Sequence, residues 1–146
     1  MPTTSPNDEA AIRERLERWT QALHDKDLDA LMALYAPDVV TFDLMPPSQV
    51  RGTDRYRRNF EHWFAALPGP IDYRTRDLRV VVDGNVAFCH GLSHVGGIRA
   101  DGASADYWVR VTVGFEKRGG DWLMVHDHIS MPVEGRDMKA VQDLRG

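Results

Sequence analysis

Cysteine is nearly absent from this chain, since Cys89 is the only one in 146 residues. A single thiol excludes an intramolecular disulfide and a cysteine-rich zinc site, so we expect Cys89 to pack as a small apolar residue. No uncharged run is long enough to span a bilayer. The N-terminal residues also lack a basic start followed by an apolar core, the pattern of a secretory signal. We therefore expect a cytoplasmic protein without a membrane partner.

Positive charge is also scarce, because 18 lysines and arginines stand against 22 acidic residues and the formal net charge is -4. That balance gives little attraction to phosphates, so no nucleic-acid partner is expected. With 42% hydrophobic and 27% charged residues, the composition is typical of one globular domain over residues 1–146. The polar stretch 133–146 is predicted to be a loosely ordered tail.

Apolar side chains recur at helical spacing in three segments of the N-terminal half. The first segment has an apolar stripe that contains Ile12, Leu16, Trp19 and Leu23. A second helix is predicted to begin after Asp27, its N-cap, and to end near Pro37. A third is predicted to begin at Gly52 and to stop at Pro68. All three helices are amphipathic and should pack against a common core.

The second half of the sequence has a β pattern. Runs rich in valine and aromatic residues are separated by glycine-containing turns, and they predict four sequential antiparallel strands at residues 71–82, 86–95, 104–117 and 121–131. Helices followed by strands, without alternation of the two, are typical of α+β domains. We expect the three helices to lie on one face of a curved antiparallel sheet.

The turn between the last two predicted strands fixes their register. A loop of Arg118, Gly119 and Gly120 would place Lys117 opposite Asp121. One face of this hairpin is then apolar and should meet the helices; it contains Tyr107, Val109, Val111, Val113, Phe115, Leu123, Val125, Asp127, Ile129 and Met131. The other face mixes aromatic and polar groups; it contains Asp106, Trp108, Arg110, Thr112, Trp122, Met124, His126, His128 and Ser130. We expect this second face to form a back-to-back homodimer interface.

Two aspartates are candidate catalytic residues. The β-branched run 39–42 predicts a short strand that delivers Asp43 to the Pro46-Pro47 turn, so a partly desolvated carboxylate would lie where the strand meets its loop. Asp43 could instead cap that turn through its own side chain. Asp127 lies on the predicted apolar face, where desolvation would make it a general acid or base near neutrality. A different register would place Asp127 outside, and a buried tyrosine such as Tyr35 could satisfy it.

Two sequence segments carry a resemblance to a known family. The segments ALHDKDLDALMALYAPDVVTFD and QVRGTDRYRRNF, together with the stripe of the first helix, resemble the opening of Δ5-3-ketosteroid isomerase. The whole chain resembles the nuclear transport factor 2-like superfamily, which also contains the SnoaL-like polyketide cyclases. This resemblance implies a cone-shaped fold around an apolar pocket. It indicates the fold more specifically than an activity, because the superfamily contains several kinds of enzyme and many binding modules.

The resemblance places Asp43 at the position of the isomerase's general base. The other catalytic positions differ: Trp19 falls where the oxyanion-hole tyrosine is expected, Phe60 where a supporting tyrosine is expected, and Val111 where the protonated acid is expected. Because an indole offers one weaker donor and valine offers none, these changes argue against steroid isomerisation through that oxyanion hole.

Histidines are the implied replacement for the missing groups. The resemblance turns one face of the strand 86–95 into the pocket, so that His90 and His94 could join the two aspartates around a ligand. Each could instead be a hydrogen-bonded core or interface residue. A metal site at His126 and His128 is a further possibility, but Arg110 lies beside His128 in the predicted register and a cation there opposes metal binding.

The combined interpretation is an acid/base enzyme without a cofactor or metal, acting on a small hydrophobic carbonyl compound. It would be an isomerase, a dehydratase or an aldol-type cyclase, with Asp43 as the base and with Asp127 and His90 as acid or orienting groups. The other expected pocket residues are Trp19, Phe60, Trp63, Phe88, Leu92, His94, Val111, Val125 and Ile129. The alternative is a non-catalytic ligand-binding or dimerisation module of the same fold.

Overall fold

The computed structural model describes residues 6–143, and the last three positions of the predicted tail lie outside this range. In chain order, its elements are α1 (Pro6–Asp25), α2 (Leu28–Met32), β1 (Tyr35–Phe42), β2 (Val50–Arg51), α3 (Thr53–Ala66), β3 (Asp72–Asp83), β4 (Val86–Ile98), β5 (Ser104–Arg118) and β6 (Asp121–Ser130). No helix within the described residues is long and apolar enough to cross a membrane.

The helices form where the periodicity predicts them. The Oδ1 atom of Asp27 accepts a hydrogen bond of 3.1 Å from the Ala30 N–H and thereby caps α2, as predicted. Helix α2 ends at Met32, earlier than Pro37, because the chain from Tyr35 onward pairs with β6. The strand that leads to Asp43 is therefore eight residues long rather than four.

The strands form one six-stranded sheet with the order β2-β1-β6-β5-β4-β3. The predicted α+β fold, with helices packed on a sheet, is confirmed. The sheet is mixed rather than wholly antiparallel, because β1 runs parallel to β6 while all other neighbours are antiparallel. The parallel pairing brings Thr41 beside Asp127. It thus places the end of β1, and with it Asp43, next to the strand that carries the second candidate.

The hairpin register differs from the prediction in two ways. The turn consists of Gly119 and Gly120 alone, both with positive φ, and so Arg118 rather than Lys117 lies opposite Asp121. A β-bulge at Val125 then shifts the pairing by one residue.

The bulge exchanges the faces of β6. Before it, Trp122 and Met124 point into the core and are 3% and 1% exposed, although the predicted register placed them on the outer face. After it, Asp127 points inward and is 4% exposed. One extra residue therefore allows β6 to bury two large side chains and then a carboxylate on the same face.

Residues 133–143 fold back on the sheet beyond the end of β6. Val133 and Ala140 form an isolated antiparallel bridge, and the Trp108 N–H donates a hydrogen bond of 2.8 Å to the Gln142 carbonyl. The described part of the predicted tail is thus hydrogen-bonded to β5.

A partly buried ion pair fastens the start of α1 to the sheet. Asp8 lies in the first helical turn, where a negative charge is favourable, and it is buried. Its Oδ1 atom accepts hydrogen bonds from Lys117 Nζ at 3.1 Å and from the Trp122 indole at 3.2 Å. Because both donors come from the β5–β6 hairpin, this carboxylate fixes α1 over one end of the sheet.

The Asp8→Asn substitution should therefore lower the free energy of unfolding by about 1–3 kcal/mol, because it removes the charge that accepts from the buried Trp122 indole and the half-buried Lys117 ammonium group. Urea denaturation at neutral pH measures this change. Glu9→Gln is the matched control: its exposed pair with Arg13 should contribute less than about 0.5 kcal/mol. Equal losses in the two variants would contradict the anchoring role.

Candidate functional site

A cavity of about 890 Å³ lies between α1, α3 and the inner face of the sheet. That volume is at the upper end of the range for small-molecule sites. Five of the predicted pocket residues lie on its wall: Trp19, Phe60, Trp63, Val111 and Ile129. Asp43 and Asp127 also line it. The structure therefore brings both candidate carboxylates to one largely aromatic and aliphatic cavity.

Asp127 is the buried carboxyl group of this cavity. Its Oδ2 atom accepts hydrogen bonds from the Tyr56 hydroxyl at 3.0 Å and from the Tyr35 hydroxyl at 3.2 Å. Its Oδ1 atom is buried and has no hydrogen-bond partner among the described residues. One oxygen is thus held by two phenols, while the other keeps its hydrogen-bonding capacity unused.

Burial is the main influence on the acidity of Asp127. Desolvation raises the pKa of its carboxyl group from 3.8 to about 7, and the nearby charge of Asp43 adds to the rise. The hydrogen bonds from Tyr56 and Tyr35 oppose it, because they stabilise the ionised form. Burial also raises the pKa of both tyrosines, so their hydroxyl protons stay in place as donors at neutral pH. Asp127 can therefore gain or lose a proton near neutrality.

Trp19 supports this group from α1. Its indole N–H donates to the Tyr35 hydroxyl at 2.7 Å, which leaves the Tyr35 proton free to bond Asp127. The relay Trp19, Tyr35, Asp127 joins α1, β1 and β6. Trp19 on α1 thus acts on the Asp127 carboxyl group through Tyr35 on β1.

Asp43 lies at the end of β1 with a different set of partners. Its Oδ1 atom accepts a hydrogen bond of 2.7 Å from the Leu44 N–H, the turn-capping contact considered from the sequence. Its Oδ2 atom accepts 2.9 Å from the Asn59 amide of α3, which also lines the cavity. The carboxylate is half-buried and each oxygen accepts one neutral donor. Capping and cavity lining are therefore combined in one residue.

The structure corrects the expected orientation of β4. Cys89, Gly91, Ser93 and Val95 line the cavity, so strand alternation puts Phe88, His90, Leu92 and His94 on the opposite face of the sheet. The cross-strand pairs agree: His90 lies opposite the exposed Thr112, not opposite the cavity residue Val111. His90 and His94 therefore do not join the two aspartates.

Val125 is likewise absent from the cavity wall, because the bulge turns it away. We call the face of the sheet that bears Phe88, His90, Leu92, His94 and Val125 the outer face. His94 Nε2 lies 2.5 Å from Asp106 Oδ1, and the Arg76 guanidinium stacks over Trp108. Within residues 6–143 no group of three histidine, cysteine or carboxylate side chains could hold a metal ion.

Sequence reasoning missed Tyr56 and Asn59 as site residues. They stand three apart on α3, on the face that also carries the buried Phe60, so both reach the cavity wall. In the sequence, Tyr56 and Phe60 recur at helical spacing, which by itself indicates an apolar core contact for Tyr56. The sequence has no signal that Asp127 and Asp43 lie beneath that face of α3, because their position depends on the pairing of β1 with β6.

The fold, a mixed sheet packed against helices, is that of the nuclear transport factor 2-like proteins. The model of the SnoaL-like domain family matches residues 12–134 of this chain. The protein therefore belongs to the SnoaL-like domain family.

Solved structures agree with this assignment. A nuclear transport factor 2-like protein of unknown function from Pseudomonas putida KT2440 is 34% identical, with a TM-score of 0.88 over 97% of this chain and 99% of that one. A candidate dehydratase of the same family from Streptomyces avermitilis is 17% identical, with a TM-score of 0.77 over 87% and 97% of the two chains. A ketosteroid isomerase-like protein from Erwinia carotovora atroseptica is 18% identical, with a TM-score of 0.74 over 86% and 97%. None of the curated proteins compared with the chain matches it.

The raised pKa of Asp127 predicts an unusual dependence of stability on pH. Between about pH 4 and 7 the folded state binds this proton and the unfolded state does not, so stability should fall as pH rises through that window. Each pH unit of the window contributes about 1.4 kcal/mol. The contribution of Asp127 to the slope of stability against pH should be absent in Asp127→Asn. The slope should be unchanged in Asp83→Asn, which alters an exposed carboxylate. Urea denaturation from pH 4 to 8 measures it, and parallel profiles for all three proteins would refute the raised pKa.

Proposed function

We propose that this protein binds a small hydrophobic carbonyl compound and moves a proton on it by general acid/base catalysis. The observation that carries this proposal is Asp127, a buried carboxyl group with a pKa of about 7 in a residue that lines an apolar cavity. A carboxyl group so placed can hold a proton in one step and release it in the next near neutral pH.

Asp43 is the proposed base. Its carboxylate would remove a proton from the carbon next to the carbonyl group, while Asp127 in its protonated form donates to the carbonyl oxygen as negative charge develops there. Return of that proton from Asp43 to a different carbon gives an isomer. Its transfer to a β-hydroxyl group, which leaves as water, gives a dehydration product. Its transfer to the alkoxide that forms when the enolate attacks a second carbonyl gives a ring. Each of these outcomes needs only the two carboxyl groups.

Two of the similar structures support this range of reactions by their descriptions, as a candidate dehydratase and as an isomerase-like protein. At 17% and 18% identity they share the fold. The reaction type for this chain therefore rests on the cavity and its carboxyl groups.

A non-catalytic binding module is the second candidate, and the closed network around Asp127 favours it. Two tyrosines and Trp19 hold the carboxyl group from three elements, which is also how a structural buried acid would be held. The two candidates differ in one respect: a binding module should bind its ligand equally well after either aspartate becomes an asparagine.

The Asp43→Asn substitution should abolish proton exchange on the ligand, because it keeps the shape of the side chain and removes the base. Solvent deuterium incorporation into a panel of enolisable ketones, both steroid and polyketide-like, measures this exchange. Asp83→Asn serves as the matched control and should exchange like the wild type. Exchange that is retained in Asp43→Asn would eliminate Asp43 as the base, and no exchange by the wild type across the panel would favour the binding module.

We also propose a homodimer formed through the outer face. Phe42 and Phe88 are large aromatic side chains on this face, and they are 38% and 46% exposed. Trp108 and Arg110 lie on the same face of β5, a strand between β1 and β4 in the sheet, and interface cores favour both residue types.

The Trp108→Glu substitution should produce monomers, because it places a charge in the middle of the proposed interface. Sedimentation velocity of the variant and the wild type measures the change. Arg136→Glu, an exposed charge change beyond the sheet, is the control. A wild type that sediments as a monomer, or a dimeric Trp108→Glu variant, would exclude this interface.

A further inference from the structure

Three side chains that carry hydrogen-bond donors lie together on the cavity wall, and we call Trp63, Arg99 and Tyr107 the donor cluster. Arg99 is the exposed member. All three line the cavity. The Trp63 indole N–H is buried near the Tyr107 oxygen, yet it forms no hydrogen bond of standard geometry among the described residues. Burial raises the pKa of the Tyr107 hydroxyl, and the nearby Arg99 guanidinium and Trp63 N–H lower it. The three donors therefore act on the same small region of the wall.

The backbone holds Arg99 in this position. Its N–H donates to the Ala103 carbonyl at 2.7 Å, and its carbonyl accepts from the Gly102 N–H at 2.9 Å, which closes the β4–β5 turn. The Ala100 N–H donates to the Ala66 carbonyl at 3.2 Å and fastens this turn to the end of α3, one helical turn after Trp63. Arg99 thus projects from a turn that is hydrogen-bonded to α3, the helix that carries Trp63.

The carboxylates near the donor cluster are occupied by other groups. Asp101, in the same turn, accepts from the Ala103 N–H at 2.9 Å, and Asp72 pairs with Arg74 at 3.2 Å. Asp43 bonds the Asn59 amide. Glu17 lines the cavity from α1, a helix that packs on β3 and β6 rather than on the β4–β5 turn. No carboxylate of residues 6–143 forms an ion pair with Arg99.

We infer that the donor cluster binds an anionic oxygen group of the ligand, so that the natural ligand is a hydrophobic carboxylic acid. A guanidinium presents several donors and no acceptor, and the indole adds another donor, a set that a carboxylate satisfies with its two oxygens. The Asp43 carboxylate repels an anion from its part of the wall, whereas the donor cluster attracts it. The ligand would therefore bind with its carbonyl group at the aspartates and its acid group at Arg99.

This inference deepens the proposed function and rests on it for the cavity as the ligand site, but its test requires no turnover. The probes are 4-(1-pyrenyl)butanoate and its primary amide, which have the same shape and differ in charge. Energy transfer from the protein's tryptophans to pyrene reports binding. In the wild type the acid should bind about 10-fold more tightly than the amide, since a charge-assisted pair contributes about that factor.

The Arg99→Gln variant should lose this preference through weaker binding of the acid, with amide affinity within about 2-fold of the wild type. Tyr107→Phe should lose part of it. Arg79→Gln, on the outer face opposite His90, is the matched control and should keep the full preference. An equal effect of Arg99→Gln and Arg79→Gln, no preference for the acid in the wild type, or no binding of the acid would each overturn the inference.

The anion site and the catalytic function can be refuted independently of each other. Loss of the acid preference in Arg99→Gln, together with no deuterium exchange on any ketone, would support the anion site and remove the catalytic function. Exchange that depends on Asp43, together with acid affinity unaffected by Arg99→Gln, would remove the anion site and leave the catalytic function in place.

Discussion

The burial of the Asp127 carboxyl group is the constraint on which the rest of the site depends. A carboxylate in apolar surroundings is costly, so the fold must either supply donors or keep the group protonated. Here it does both: Tyr35 from β1 and Tyr56 from α3 donate to one oxygen, while desolvation brings the pKa to about 7. Each donor comes from a different element, and the parallel pairing of β1 with β6 is what brings them together.

The same arrangement makes the cavity chemically asymmetric. Asp43 is half-buried at the end of a strand and accepts from an amide and a backbone N–H, whereas Asp127 is fully enclosed and held by phenols. Two carboxyl groups in such different surroundings are suited to opposite roles, one as base and one as acid. The donor cluster around Arg99 adds a third kind of surface to the same wall. Under the proposed function, charge would orient the ligand before a proton moves.

Local sequence signals predicted most of the fold, because helix stripes, the Asp27 cap and glycine turns depend on neighbours in the chain. The errors came from long-range pairing. The parallel contact of β1 with β6 and the bulge at Val125 have no local signature, and together they decide what faces the cavity. Asp127 was expected to point inward on the basis of a turn register that is wrong by one residue. The bulge shifts the pairing by one further residue, and the two shifts together leave Asp127 pointing inward. On β4 the resemblance indicated the wrong face, because small residues such as Gly91 and Ser93, rather than the histidines, line the cavity.

The most direct test of this account is the titration of the Asp127 carboxyl group itself. Carbon-13 NMR of protein labelled at the aspartate carboxyl carbons, with the signal assigned by its loss in Asp127→Asn, follows the protonation of this one group from pH 3 to 9. We expect a midpoint near 7, because desolvation outweighs the two tyrosine hydrogen bonds. A midpoint near 4 would show that Asp127 is an ordinary ionised carboxylate at neutral pH, and the proposed acid would have no proton to donate.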